Sequence, residues 1–292
     1  MRYWNDPSPG IARLYLFSGA VFWSFGGLLI KEIDAGAVSI VFWRCFFSAI
    51  LLAPLVRGRS FPSRPDSGVS IVIFALLLLL FVGATKETTA ANAIFLQYTA
   101  PLWVIVFGPF ILGERLRSRD APAMAICLLG IGVLFAGNQG GDSLGLWLGI
   151  SSGLFFGLFF LWLRRMRYAD PIAITFISCL GVALVLSPVV LRFDVDARDL
   201  ALLAVMSAFQ FALPYVLFTK GLGHVNSAEA SLIALVEPVL NPVWVALVFG
   251  ENPSRATIIG GAIIIVGLTL RYAVFRAPEE LAIDPAEAEA AH

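Results

Sequence analysis

Charge is scarce in this sequence. Only 14% of its 292 residues are charged, against 59% hydrophobic, where a water-soluble domain carries roughly 25% charged residues. So few charges cannot cover a water-facing surface, so lipid must be the solvent for most of it. Positive and negative side chains cancel to a formal net charge of zero, which gives no case for nucleic acid or any other polyanion as partner. Histidine is nearly absent: His224 falls in a loop and His292 at the terminus. Neither an H-E-x-x-H nor a G-x-S-x-G pattern occurs. An intramembrane enzyme would therefore lack its nucleophile–base pair or metal cage, and no metal or other cofactor is expected. The three cysteines, Cys45, Cys127 and Cys179, are odd in number, widely spaced and each inside an apolar run. That argues against a disulfide framework or zinc knuckle and leaves them as small buried hydrophobes. No ATPase motif is present, so primary pumping by this chain alone is excluded.

Long apolar runs fill the space that charge leaves, and the mean hydropathy is +0.87. Crossing about 30 Å of hydrocarbon as a helix takes ~20 apolar residues. Ten such runs can be read, at about 11–30, 37–56, 68–86, 89–112, 120–137, 144–163, 171–190, 199–221, 227–249 and 255–273. Breakers and charges separate them, among them Gly113-Glu114-Arg115, Gly140-Gly141-Asp142, Arg164-Arg165-Met166-Arg167 and Gly250-Glu251-Asn252-Pro253. Helices satisfy their own backbone hydrogen bonds in lipid, whereas barrel strands would be about half as long and alternating. The first run ends in Lys31-Glu32, not in a cleavage site, and reads as a span, not as a signal peptide. The tail over 277–292 is Ala/Glu-rich and is expected to be disordered and cytoplasmic.

Lysine and arginine placement sets orientation. With the amino terminus inside, the inner segments hold fourteen (Arg2, Arg13, Arg57, Arg59, Arg64, Arg115, Arg117, Arg119, Arg164, Arg165, Arg167, Lys220, Arg271 and Arg276). The outer segments hold five (Lys31, Lys86, Arg192, Arg198 and Arg255). Both termini are therefore expected in the cytoplasm of a multi-pass protein of the cell (inner) membrane. The aromatics Trp4, Tyr15, Trp147, Trp162, Tyr168 and Tyr272 near run ends fit an interfacial belt.

The strongest organisational signal is a repeat. Ala93-Ile-Phe-Leu-Gln-Tyr-Thr-Ala-Pro101 lies over Ala230-Ser-Leu-Ile-Ala-Leu-Val-Glu-Pro238, and without a gap Gly113-Glu114 then falls on Gly250-Glu251 and Gly130 on Gly267, an offset of 137 residues. Residues 11–137 and 144–273 thus read as two copies of one five-span unit. Five is odd, so the second copy enters the membrane upside down. Inverted halves place a binding site near the midplane between them, an arrangement suited to carrying small molecules. A channel would need a ring of charges or carbonyls, and a non-transporting scaffold is the other alternative. A monomer is expected, with a dimer as alternative, working on a small-molecule substrate in a lipid bilayer.

These paired segments, Thr88 to Phe95 through Pro101 to Gly113-Glu114-Arg115, and Ser227 to Ser231 through Glu237-Pro238 to Gly250-Glu251, resemble the EamA family of the drug/metabolite transporter superfamily. Arg44, with Ala49 after it, fits as well. The resemblance covers about residues 11 to 275. It implies an all-α membrane fold of ten helices around a central cavity lined mainly by the third, fourth, eighth and ninth spans. It also implies export of small metabolites, often amino acids, with a likeness to YddG-type exporters of aromatic and other amino acids. Drugs and other metabolites are the alternative cargo. No Lys/Arg cluster in the central spans serves a phosphate.

Several interior residues ask for a reason. A charge at a helix centre costs about 2.5–3.5 kcal/mol on insertion scales, and Glu237 sits near the middle of the ninth span, with Asn241 one turn on. Glu237 either lines the cavity, binding a substrate ammonium or carrying a proton, or is a neutral acid hydrogen-bonded to a neighbouring helix. On the fourth span Gln97, Tyr98 and, deeper, Trp103 are candidate lining residues; on the eighth, Gln210 and Tyr215. Pro101, Pro214, Pro238 and Pro242 each remove a donor and free a carbonyl one turn earlier. These prolines are read as gating kinks, with plain packing as the alternative. The freed carbonyls either bind an ammonium or are satisfied by side chains. The third span, Ile71 to Val82, offers only an apolar wall. Arg44 either binds a carboxylate or snorkels outward to tie helix ends, the structural role being favoured. Gly145, Gly149, Gly153 and Gly157, four apart on the sixth span, read as a helix-packing surface.

Overall fold

The computed structural model describes residues 7–113, 121–137, 143–190, 195–222, 224–225 and 227–273. Glu114 and the arginines at 115, 117 and 119, the Gly140–Asp142 breaker, Trp4 and the 277–292 tail lie outside the described residues. Among those described, every regular element is a helix. In chain order these are α1 (Pro9–Ser24), α2 (Gly26–Glu32), α3 (Ala37–Leu52), α4 (Arg64–Glu87), α5 (Ala90–Gln97), α6 (Ala100–Leu112), α7 (Ala121–Gly137), α8 (Ser143–Arg165), α9 (Pro171–Val190), α10 (Ala197–Val205), α11 (Leu213–Leu222), α12 (Ser227–Ala234), α13 (Val236–Phe249) and α14 (Arg255–Ala273). A 3-10 turn, Ala53–Val56, extends α3, and a π-helical stretch, Met206–Ala212, joins α10 to α11. Taken with these joins, nine spans of 19 to 26 residues among the described residues are long and apolar enough to cross a bilayer, and the 17-residue Ala121–Gly137 is a shorter tenth.

Local chemistry explains where the helices start, stop and break. Ser63 caps α4, its Oγ accepting from Asp66 N at 3.3 Å. α6 and α13 end at Gly113 and Gly250, which hold φ of +69° and +66°, a left-handed close that glycine makes without strain. They are the same position in the two copies. The fourth span breaks at Tyr98-Thr99 and the ninth at Leu235. Pro101 and Pro238 follow each break in the first turn of the next helix, where a missing N–H costs nothing. Both prolines therefore lie two or three residues beyond the bend, in the first turn of the half-helix that follows it. Pro242 lies inside the uninterrupted α13, and Pro214 follows the π-helical stretch. The first span also breaks, at Phe25.

Packing repeats itself across the two halves. A Cβ added to Gly130 of α7 would sit 2.7 Å from Gly260 O, and one on Gly267 of α14 would sit 3.3 Å from Ala123 O. Shifted by the 137-residue offset, Gly130 becomes Gly267 and Ala123 becomes Gly260, so the two contacts exchange. Cys127 Sγ lies 3.8 Å from Ile264 O, and that pair maps onto itself. Reciprocal contacts of this kind are the signature of a twofold relation, here within one chain. The apolar core is continuous, and Phe74, Phe159 and Phe211 are its largest fully buried side chains.

Candidate functional site

The broken spans meet along the ninth. At its break the carbonyl of Ala234, four residues before Pro238, has lost its helical donor. The Tyr98 hydroxyl, from the break of the fourth span, lies 3.0 Å from that oxygen and 2.8 Å from Glu237 Oε2. The Tyr98 hydroxyl thus reaches both the freed carbonyl and the half-buried carboxylate, and its one hydrogen serves one of them at a time. The break in the first span is handled alike. Gln210 Nε2 donates to Trp23 O at 3.2 Å, and Trp244 Nε1 donates to Ser24 Oγ at 2.8 Å. Backbone groups bared in a bilayer need such partners, so each bend is tied to another span by a polar side chain.

Asn241, one turn beyond Glu237, is buried against Gly27, where an added Cβ would sit 2.4 Å from its Oδ1. Its Nδ2 and Oδ1 make no hydrogen bond, nor does Gln210 Oε1. These are polar groups turned inward with capacity left over, which natural interiors keep for a reason. Tyr215 packs edge-on against Trp23 at 5.5 Å and against Phe211 at 5.0 Å. Phe211 in turn lies 6.0 Å from Phe74, which lies 4.9 Å from Phe159. The third span contributes the fully buried Phe74 to this aromatic cluster. Of the residues singled out from sequence, the structure joins Tyr98 to Glu237 directly and sets Gln210, Tyr215 and Asn241 around the first-span break. Trp103 stands apart: its ring centroid is 6.4 Å from Phe107. Gln97 is buried in the last turn of α5. Gly145, Gly149, Gly153 and Gly157 line up on Thr88, Leu96, Thr99 and Trp103, so the sixth span lies along the fourth across its break.

The sequence profile of the EamA-like transporter family matches residues 10–136 and again 143–273. The chain belongs to the EamA-like transporter family. Among its relatives is an uncharacterized transporter of Archaeoglobus fulgidus, 28% identical over 87% of this chain and 93% of that one. A protein named S-adenosylmethionine uptake transporter from Rickettsia prowazekii is 24% identical, over 79% of this chain and 81% of that one. A protein named pseudopaline exporter CntI from Pseudomonas aeruginosa is 26% identical, over 82% and 87%. A solved crystal structure superposes with a TM-score of 0.65 at 19% identity, covering 93% of this chain and 100% of the other; at that identity it shows the fold alone. The protein is a multi-pass membrane transporter of this family, which is not an enzyme family.

In this EamA-like transporter the Gly-Glu step after α13 has a physical task that sequence reading did not assign. Glu251 Oε1 accepts from Ala90 N at 2.8 Å, at the start of α5, and its Oε2 pairs with Lys31 Nζ at 2.6 Å. Lys31 also donates to Thr88 O at 3.2 Å. A carboxylate on a helix N-terminus is stabilised by the bared N–H groups and the helix dipole. One acid thereby ties the first, fourth and ninth spans together at one face of the membrane. At the other end of the same spans Arg13 Nε meets Glu229 Oε1 at 2.5 Å. The signal was present as the matched Gly-Glu steps, but nothing in the sequence names Ala90 as partner. Glu251→Gln should weaken this tie by about 1.5–3 kcal/mol, the range for a hydrogen bond to a charged group. Amide hydrogen exchange at the start of α5, over 90–93, should then quicken about tenfold or more. Unchanged exchange there would show that Glu251 holds nothing closed.

Proposed function

We propose that the protein exports amino acids, aromatic or other apolar ones foremost, by alternating access between its two inverted halves. It works in the cell (inner) membrane as a monomer with both termini cytoplasmic. The observation that carries this reading is the Glu237 carboxylate. It sits inside the bundle with a neutral partner, Tyr98, and makes no ion pair among the described residues. Structural acids in lipid are paired with cations where they can be. A carboxylate partnered by a phenol keeps an acceptor for an incoming ammonium. Tyr215, within electrostatic reach of Glu237 and packed against Trp23 and Phe211, supplies an apolar contact for a side chain. The relatives named for S-adenosylmethionine and pseudopaline support small metabolites as cargo.

Bends at matched places in the fourth and ninth spans, held together by Tyr98, are where one half moves against the other. Pure protein in liposomes, offered a panel of labelled amino acids with and without a pH gradient, should show saturable flux of the aromatic and large aliphatic members. No saturable flux of any amino acid would overturn the reading.

A further inference from the structure

A second charge inside the bundle remains unused. Arg44 lies mid-way along α3 and is only 5% exposed. It does not snorkel: its Nε and Nη1 are buried and make no hydrogen bond. One turn on, Ser48 is fully buried, and its Oγ also lacks a partner. The guanidinium rests 4.6 Å over the Phe211 ring, and Ser207 Oγ, on the π-helical stretch, donates to Arg44 O at 3.1 Å, fixing its backbone to the eighth span. A ring face attracts the cation but leaves the in-plane N–H groups unmet. A buried cation with unmet donors is among the costliest arrangements in a protein interior. Its donors are the planar kind that match a carboxylate. Tyr215, whose ring lies 5.0 Å from that of Phe211, is within electrostatic reach of both Arg44 and Glu237, so the two charges share one neighbour.

We propose that Arg44, helped by the Ser48 hydroxyl, receives the carboxylate of the transported solute. This deepens the amino-acid reading and rests on it. Glu237 takes the ammonium, Arg44 the carboxylate, and the Phe211–Tyr215 surface the side chain. A zwitterion then neutralises both charges at once, and a solute with only one of its two charges leaves the other unpaired. The empty carrier keeps an unsatisfied guanidinium, which favours the loaded form during the crossing.

The test compares L-phenylalanine with phenethylamine, which lacks only the carboxylate, in liposomes holding wild type, Arg44→Gln, Arg44→Lys or Ser48→Ala. Wild type should prefer the acid. Arg44→Gln should cut kcat/KM for phenylalanine about tenfold or more and change that for phenethylamine far less, with Arg44→Lys in between. Ser48→Ala, a smaller change, should shift the acid-to-amine ratio the same way by a few-fold and keeps the test valid if Arg44→Gln does not fold. Equal losses for acid and amine, or a ratio unmoved in every variant, would make Arg44 a structural cation and overturn the proposal alone. Wild type that carries phenethylamine but no amino acid would overturn the amino-acid reading and this proposal with it.

Discussion

Glutamine in place of Glu237 will raise the KM for amino acids about ten- to a hundredfold while the protein still folds. The first half follows from the loss of a charge-assisted bond to the ammonium, about 1.5–3 kcal/mol, at a factor of ten per 1.4 kcal/mol. The second follows from shape: glutamine has the same volume, and its amide oxygen still accepts from the Tyr98 hydroxyl that now lies 2.8 Å from Glu237 Oε2. The substitution should also abolish any response to a pH gradient. Tyr98 has one hydroxyl hydrogen and two acceptors, Glu237 Oε2 and Ala234 O. When Glu237 is ionised, that hydrogen serves the carboxylate, and the freed carbonyl at the ninth-span break goes short. When Glu237 is protonated, the acid donates to the phenol oxygen and the phenol donates to Ala234, and every group is met. Protonation therefore tightens the join between the fourth and ninth spans, and deprotonation loosens it. Flux measured across a series of pH steps reads this directly. Wild-type kinetics at every pH in Glu237→Gln would remove Glu237 from the site.

Much of this architecture was legible in the sequence, because lipid imposes a simple rule: a span must be a helix and must be apolar over its length. The runs read from composition lie within a few residues of the observed spans, and the 137-residue offset reappears as exchanged glycine contacts between α7 and α14. Tyr98 and Glu237 could be named separately, since a phenol and an acid in apolar runs need partners, but their pairing could not, because it joins residues 139 apart in sequence. The bends were readable only approximately. Proline announces that a donor is missing, while the chain resolves the defect two or three residues earlier, where a neighbouring span offers a cap. The break at Phe25 has no proline behind it; there Gln210 reaches Trp23 O, a tertiary contact that no local pattern encodes. From sequence Arg44 reads either as a carboxylate ligand or as a snorkelling tie between helix ends. In the structure it stays over Phe211.

The largest effect on stability is expected at Gly153, where the sixth span crosses the break of the fourth. A Cβ there would lie 2.5 Å from Thr99 Oγ1 and 2.6 Å from Leu96 O, closer than a carbon can sit. Neither neighbour is free to yield. Thr99 Oγ1 donates to Leu96 O at 2.6 Å, so both atoms belong to the hydrogen bonding that holds the break in place. Overpacking of this kind costs about 1–3 kcal/mol for one methyl, and membrane helices depend on such close approach because lipid supplies no hydrophobic force between them. Gly153→Ala should lower the melting temperature in detergent by several degrees, and Gly153→Leu should leave little folded protein. Gly132→Ala is the control, since nothing lies within 4 Å of a Cβ at that position. Adding Thr99→Ala to Gly153→Ala should restore part of the loss and no more, because it removes the Oγ1 clash but leaves Leu96 O where it is, held by Thr99 N at 3.1 Å, and takes away the hydroxyl bond to it. If Gly153→Ala melts with Gly132→Ala, the two spans are not in the contact described, and the glycine stripe has no part in holding the bend of the fourth span.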